Sequence, residues 1–379
     1  MKFMHLSDLH LGKRVHEYSM IEDQEYILNQ IVQIAADEKV DAVFIAGDIY
    51  DKTFPPVEAV TLLDQFLWAL AEKEISVWII SGNHDSAERL SFGSRLMEKN
   101  EIHIAPVYNG ELHTVTMEDE YGPIDISLLP FIKPAQVKRF FPEEEIHTYT
   151  DALQTALQGD APRNRRRILI THQFVTGASR CESEEPVVGG LDNVDASVFN
   201  GFDYVALGHI HSPQNVVRET LRYCGTPLKY SFSEVHQEKS VTIVTMKEKG
   251  CISLKTIPLR PLRDLKEIKG TYNDLTLKSF YEHTEYPESY LHITLTDEED
   301  VPDAVSRLQV IYPHIMKLDY DNARTRNSPG TDTAGETENK TPMELFEEFY
   351  QRRNFQPMSE EQKKFASELM EKVMEEEEA

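Results

Sequence analysis

The chain has 379 residues and a formal charge of −26, from 65 acidic against 39 basic side chains. That is long enough for two or three domains, and too acidic to hold nucleic acid by bulk electrostatics alone. Cys181, Cys224 and Cys251 stand at unpatterned spacing, so neither a disulfide framework nor a zinc ribbon is indicated and the thiols read as packing residues. No apolar run approaches about 18 residues, and the stretch from Lys2-Phe3-Met4-His5 onward shows neither a long apolar core nor a small-residue cleavage site, which leads to the expectation of a soluble cytoplasmic protein that is not exported.

In chain order, residues 2–7 read as a strand delivering Asp8 and His10, and Ile21, Leu28, Ile31, Ile34 and Ala35 recur at helical spacing. Val40 to Ala46 is an apolar strand ending in Gly47-Asp48; a helix over 57–72 leads to a second apolar strand that ends in Gly82-Asn83-His84-Asp85. This strand-helix alternation signals an α/β layered fold. From Ile102 to Phe131 short alternating runs suggest antiparallel strands. Arg167 to Thr171 is a buried strand ending in His172, and Tyr204 to Leu207 another ending in Gly208-His209-Ile210-His211.

Past Pro261 a smaller α+β unit is expected: strand 262–268, helix 275–281, strand 290–295, helix 301–311, strand 315–320. Residues 321–341 read as a flexible linker and 342–379 as terminal helices, with Met343, Phe346, Phe349, Phe365 and Leu369 in need of a surface to cover them. The predicted division is therefore 1–260, 261–320, 321–341 and 342–379.

Five predicted strand ends thus present imidazole, carboxylate and amide oxygen. Ligands collect beyond the C-terminal ends of strands in an open α/β sheet, so these groups can converge. Such a donor set without thiolate suits manganese, iron or zinc. His5, His16, His103, His113, His147 and His236 lie outside these blocks and read as structural. Asp85 has no assigned role beyond a turn or helix cap.

The ordered series Asp8-x-His10, Gly47-Asp48, Gly82-Asn83-His84-Asp85, His172 and Gly208-His209-x-His211 resembles the calcineurin-like metallophosphoesterase signature. The resemblance implies a two-layered β-sandwich flanked by helices, with a small α+β capping domain and C-terminal helices, and two divalent ions, Mn²⁺ above others. It places Asp8, His10, Asp48 and His211 on one ion and Asp48, Asn83, His172 and His209 on the other. His84 would act on the leaving oxygen, with Asp51 accepting its other ring N–H. The opening His5 to Gly12, and Gly190 to Val194 running on to Tyr223-Cys224-Gly225-Thr226-Pro227, are similar to the SbcD nuclease branch of that family. That branch implies a DNA exonuclease and endonuclease acting in repair and recombination. It also implies a homodimer within a heterotetramer, and an SbcC-like ATPase docked through 342–379. Local cations at Lys13-Arg14, Lys138-Arg139 and Arg163 to Arg167 could help an acidic chain meet DNA. The signature alone leaves a small-molecule phosphodiesterase or phosphatase open, or a non-catalytic subunit that keeps its metals.

Overall fold

The computed structural model describes residues 1–158, 164–181, 184, 193–323 and 325, with positions 343, 346–347, 350, 358–359, 362–363 and 365–366. Its centre is a pair of six-stranded sheets. The first contains β1 (Lys2–Leu6), β2 (Ala42–Ala46), β3 (Ser76–Ile80) and β4 (Ile102–Ile104). The second contains β5 (His113–Asp119), β6 (Gly122–Leu129), β7 (Arg166–His172), β8 (Tyr204–Gly208), β9 (Gln214–Val216) and β10 (Arg218–Tyr223). β11 (Ser240–Met246) and β12 (Ile252–Pro258) complete the first, whose order is β12-β11-β1-β2-β3-β4; the second runs β9-β10-β8-β7-β6-β5.

Alternation along the strands explains the layers. Phe3, Phe44, Ala46, Trp78 and Ile80 of the first sheet meet Ile126, Ile168, Ile170, Tyr204 and Ala206 of the second, forming the filling of the sandwich. Their neighbours Met4, Val43, Ile45, Val77 and Ile79 point the other way, into a core shared with helices α1 (Ile21–Asp37) and α2 (Val57–Ala71). On the outer face of the second sheet, Leu169, Val205 and Leu207 pack with Ala152 and Leu153 of α3 (Tyr149–Ala156). Strands β1, β2 and β3 are mutually parallel, as are β6, β7 and β8, so their C-terminal ends share one rim of each sheet. No helix among the described residues is long and apolar enough to cross a membrane.

Some local expectations are corrected. Ile102–Ile104 pairs parallel to β3 rather than joining an antiparallel run, and the hairpin begins only at His113. The helix expected over 275–281 is two single turns, Tyr272–Leu275 and Lys278–Tyr281, because Leu277 takes an extended backbone between them. That expected over 301–311 shrinks to Ala304–Leu308, its start delayed by Pro302 and by Asp303 at φ 52°. Cys224 is buried as expected of a packing thiol, but Cys251 is exposed.

By contact density the chain divides into a larger unit, Met1–Lys269 with Asn273–Thr294 and Asp303–Asp319, and a smaller one, Gly270–Tyr272, Leu295–Pro302 and Tyr320–Ala379. In the larger, α1 holds the segments beyond Pro261: Asp23 accepts from the Tyr290 hydroxyl at 2.7 Å and from the Arg263 guanidinium at 3.2 Å. In the smaller, the Asn322 amide donates to the Asp297 carbonyl at 3.0 Å. Most of the expected linker 321–341 and of the terminal helices 342–379, with Phe349 and Leu369, lies outside the described residues.

Candidate metal centre

Three of the five strand ends deliver their side chains through an abrupt change of backbone direction. Asp8, His10, Asp48 and His209 all lie at positive φ (54°, 45°, 50° and 99°), a region non-glycine residues seldom occupy and one that clusters at functional sites. The backbone packs too closely here for side chains at every position. A Cβ on Gly208 would overlap the Ala46 carbonyl, and one on Gly82 would overlap the Asp48 carboxylate.

The side chains converge. His10 Nε2 lies 3.1 Å from His211 Nε2 and 3.8 Å from Asp48 Oδ2, while His172 Nε2 lies 3.4 Å from the same Asp48 oxygen. Asn83 Oδ1 is 3.0 Å from His172 Nε2 and 2.9 Å from His209 Nδ1. Donor atoms of Asp8, His10 and His211 group within 4.8 Å, as do those of Asp8, Asp48 and His172. The two sets share Asp8, and Asp48 Oδ2 faces both His10 of the first and His172 of the second, an arrangement a pair of cations would need.

The electrostatics fit cation binding. Burial pushes His10 and His211 well below the ordinary imidazole value and His209 down to about 3, so each offers a neutral ring nitrogen at neutral pH. Burial also pushes Asp8 up to about 8, with the Asp48 charge adding to it. Asp48 goes the other way: burial opposes its charge, but His172, His10 and His84 hold it well below the usual carboxylate range. His172 donates Nδ1–H to the Ala46 carbonyl at 2.8 Å, leaving Nε2 facing two oxygens. Burial disfavours its cation, yet Asp48 raises it to about 9. A metal ion would satisfy the same two oxygens in place of that proton. The buried Nδ1 of His10 has no hydrogen-bond partner among the described residues.

His84 stands at the edge of this cluster, its Nε2 4.0 Å from Asp48 Oδ2 and its main-chain N–H donating to Asp48 Oδ1 at 2.9 Å. Its Nδ1 meets Asp51 at 3.0 Å, but through the main-chain carbonyl. Asp51 is thus the acceptor by its main-chain carbonyl, while its carboxylate pairs with Lys13 Nζ at 2.6 Å. Asp85 acquires a role the sequence left blank. Its buried carboxylate accepts the main-chain N–H groups of Ile49, Tyr50 and Gly82 at 3.1, 2.9 and 2.9 Å, tying the β2 loop to the β3 loop. Glu184 accepts the His211 main-chain N–H at 2.6 Å, and Lys239, paired with the buried Glu234, donates to the His211 carbonyl at 2.9 Å. Neither Glu184 nor Glu234 carries a motif by which it could have been found. Arg165, Arg166 and Arg167 serve the fold instead of a basic surface: Arg166 is buried against Asp119, Arg165 pairs with Asp125, and Arg167 covers the Phe202 ring. Arg163 lies outside the described residues.

Comparison with known proteins identifies its family. Residues 1–213 match the model of the calcineurin-like phosphoesterase family, and residues 261–354 match one described as a type 5 capsule protein repressor C-terminal domain. The chain is 35% identical over 323 residues to the SbcD subunit of the nuclease SbcCD from Staphylococcus epidermidis, covering 84% of this chain and 85% of that one. Among solved structures, a dimetal phosphatase from Danio rerio matches 69% of this chain and 98% of its own at 12% identity and a TM-score of 0.41. The protein TT1561 of Thermus thermophilus matches 67% and 98% at 12% identity and 0.38.

Proposed function

The chain belongs to the calcineurin-like phosphoesterase family, and from that premise we propose that it is a Mn²⁺-dependent DNA exonuclease and endonuclease working on double-strand ends and hairpins. It is a metal-dependent phosphodiesterase of the SbcD nuclease kind. The observation that carries the reading is the convergence of two donor sets on Asp48, in a chain alike over most of its length to a nuclease subunit.

In this reading Asp8, His10, Asp48 and His211 hold one ion and Asp48, Asn83, His172 and His209 the other. When bound, the pair supplies Lewis acidity: charge neutralisation at the phosphate and activation of the attacking water. The protein's own part is to orient and to move a proton. His84, its Nδ1–H donated to the Asp51 carbonyl, keeps Nε2 free to carry a proton to the leaving oxygen as the P–O ester bond breaks. Asp85 fixes the two loops that carry Asp48 and Asn83. Glu184 and Lys239 fix the turn carrying His211. The partner would be an SbcC-like ATPase docked through residues 342–379, in a heterotetramer built on a homodimer in the cytoplasm.

The test is incubation of the full chain with an SbcC-like ATPase, ATP and Mn²⁺ on linear duplex and hairpin DNA. Release of nucleotides and nicked hairpins is expected. Brisk turnover of small phosphomonoesters with intact DNA would overturn the assignment in favour of a small-molecule phosphatase.

A further inference from the structure

Beside Asn83 the metal centre opens into a cleft of about 680 Å³, within the range of roughly 300–1,000 Å³ common for sites that enclose a small organic group. Its walls are aromatic. Phe131 stands edge-on to His172 with ring centroids 6.2 Å apart, and Phe140, 46% exposed, crosses the Tyr108 ring at 5.8 Å and 89°. The Tyr108 hydroxyl is buried without a hydrogen-bond partner among the described residues. Between these rings stand three cations, Arg89, Lys133 and Arg139. Arg89 lies over the Phe54 ring at 4.1 Å. Among the described residues none of the three has an ion-pair partner. Only Asp85 and Glu88 lend acidity to the lining, and the Asp85 carboxylate is already spent on three main-chain N–H groups.

Three unneutralised cations in one cleft are notable in a chain of net charge −26. Cations interleaved with exposed rings are the chemistry that holds single-stranded nucleic acid: the rings stack on bases of any identity and the cations take the phosphates. A base inside a duplex has no free face to offer such a wall; an unpaired base has two.

We propose that this cleft receives one unpaired nucleotide of the substrate strand. Its base packs against Phe140 and Phe131, and its phosphate lies on Arg139, Lys133 and Arg89. The scissile phosphate next to it is thereby set beside Asn83 and the metal centre. The inference rests on the nuclease reading and adds that the end of the duplex is opened before it is cut.

The test uses the full chain with Mn²⁺ in the His84→Gln background and an oligonucleotide carrying 2-aminopurine either in a single-stranded tail or within a duplex. Binding should quench the brighter unpaired probe and leave the paired one, already dim from stacking in the duplex, unchanged. Phe140→Ala should remove the quenching. Arg139→Glu, a change at an exposed position that spares the core, should raise the Kd about tenfold. In the otherwise wild-type chain, Arg139→Glu should lower kcat/KM at least ten times more for the oligonucleotide than for bis(p-nitrophenyl) phosphate. No quenching of the unpaired probe on binding, or an unchanged Kd in both variants, would overturn the cleft proposal. Failure of the wild-type chain to cleave either substrate would instead overturn the nuclease reading beneath it.

Discussion

At the scale of single residues, the division of labour between His84 and Asp51 can be measured. Because the main-chain carbonyl of Asp51 holds His84, Asp51→Asn keeps that contact and is expected to cost less than tenfold in kcat. Loss of the imidazole in His84→Gln is expected to cost about 10²- to 10⁴-fold, with the stoichiometry of Mn²⁺ binding unchanged by calorimetry. Equal losses in the two variants would show that the Asp51 carboxylate, not the carbonyl, is the group that matters. A second residue-scale prediction concerns His5, which is fully buried between the Tyr204 hydroxyl at 3.0 Å and the Leu207 carbonyl at 3.2 Å. Burial holds its imidazole down at about 3, so the fold takes it neutral while the unfolded chain protonates it near 6.5. Its contribution is fully present above 6.5 and is lost as pH falls from there towards 3, at about 1.4 kcal/mol per pH unit. Urea unfolding between pH 7.5 and 4.5 should therefore fall less steeply for His5→Gln than for the parent; parallel curves would remove His5 from the acid response.

At the scale of elements, the strand ends were legible because period and chemistry change together. Alternating or continuous apolar residues stop, and Gly-Asp, Gly-Asn-His or Gly-His begins. The direction of Ile102–Ile104 was not legible, since three apolar-rich residues take whichever edge the first sheet offers. Arg165 to Arg167 looked like a basic run, but whether an arginine faces solvent or a buried carboxylate is decided by the strand opposite. The Asp85 clamp was hidden for a related reason: its partners are main-chain N–H groups on two loops, 3 and about 36 positions away, and backbone carries no sequence signal. Gly208 tests the meeting of the sheets. Its Cα faces the Ala46 carbonyl so closely that a methyl group cannot be added without shifting β8. Gly208→Ala should lose about 1–3 kcal/mol of unfolding free energy and weaken Mn²⁺ binding through the displaced His209. A variant with parental stability and metal affinity would mean the sheets have room to part.

At the scale of the whole molecule, the question is how an acidic chain engages a polyanion. The described surface answers locally rather than globally. Arg165 to Arg167 are committed to the fold, Lys13 is paired with Asp51, and unneutralised cations gather beside the metal centre. Catalysis and assembly should therefore separate along the chain. The proposed metal ligands all lie before residue 212, whereas the proposed ATPase contact lies in 342–379, where apolar Met343, Phe346, Phe349, Phe365 and Leu369 recur at helical spacing. Removing 342–379 should abolish co-elution with an SbcC-like ATPase in gel filtration, and with it ATP-stimulated cleavage of duplex ends. Mn²⁺-dependent hydrolysis of bis(p-nitrophenyl) phosphate should stay within about twofold of the parent, because none of the groups proposed to hold metal or move protons is removed. If the truncated chain still co-eluted, the docking surface would have to lie on the sandwich or its capping strands. If small-diester hydrolysis fell together with assembly, the tail would be part of the fold that shapes the site, and the two functions would not be separable.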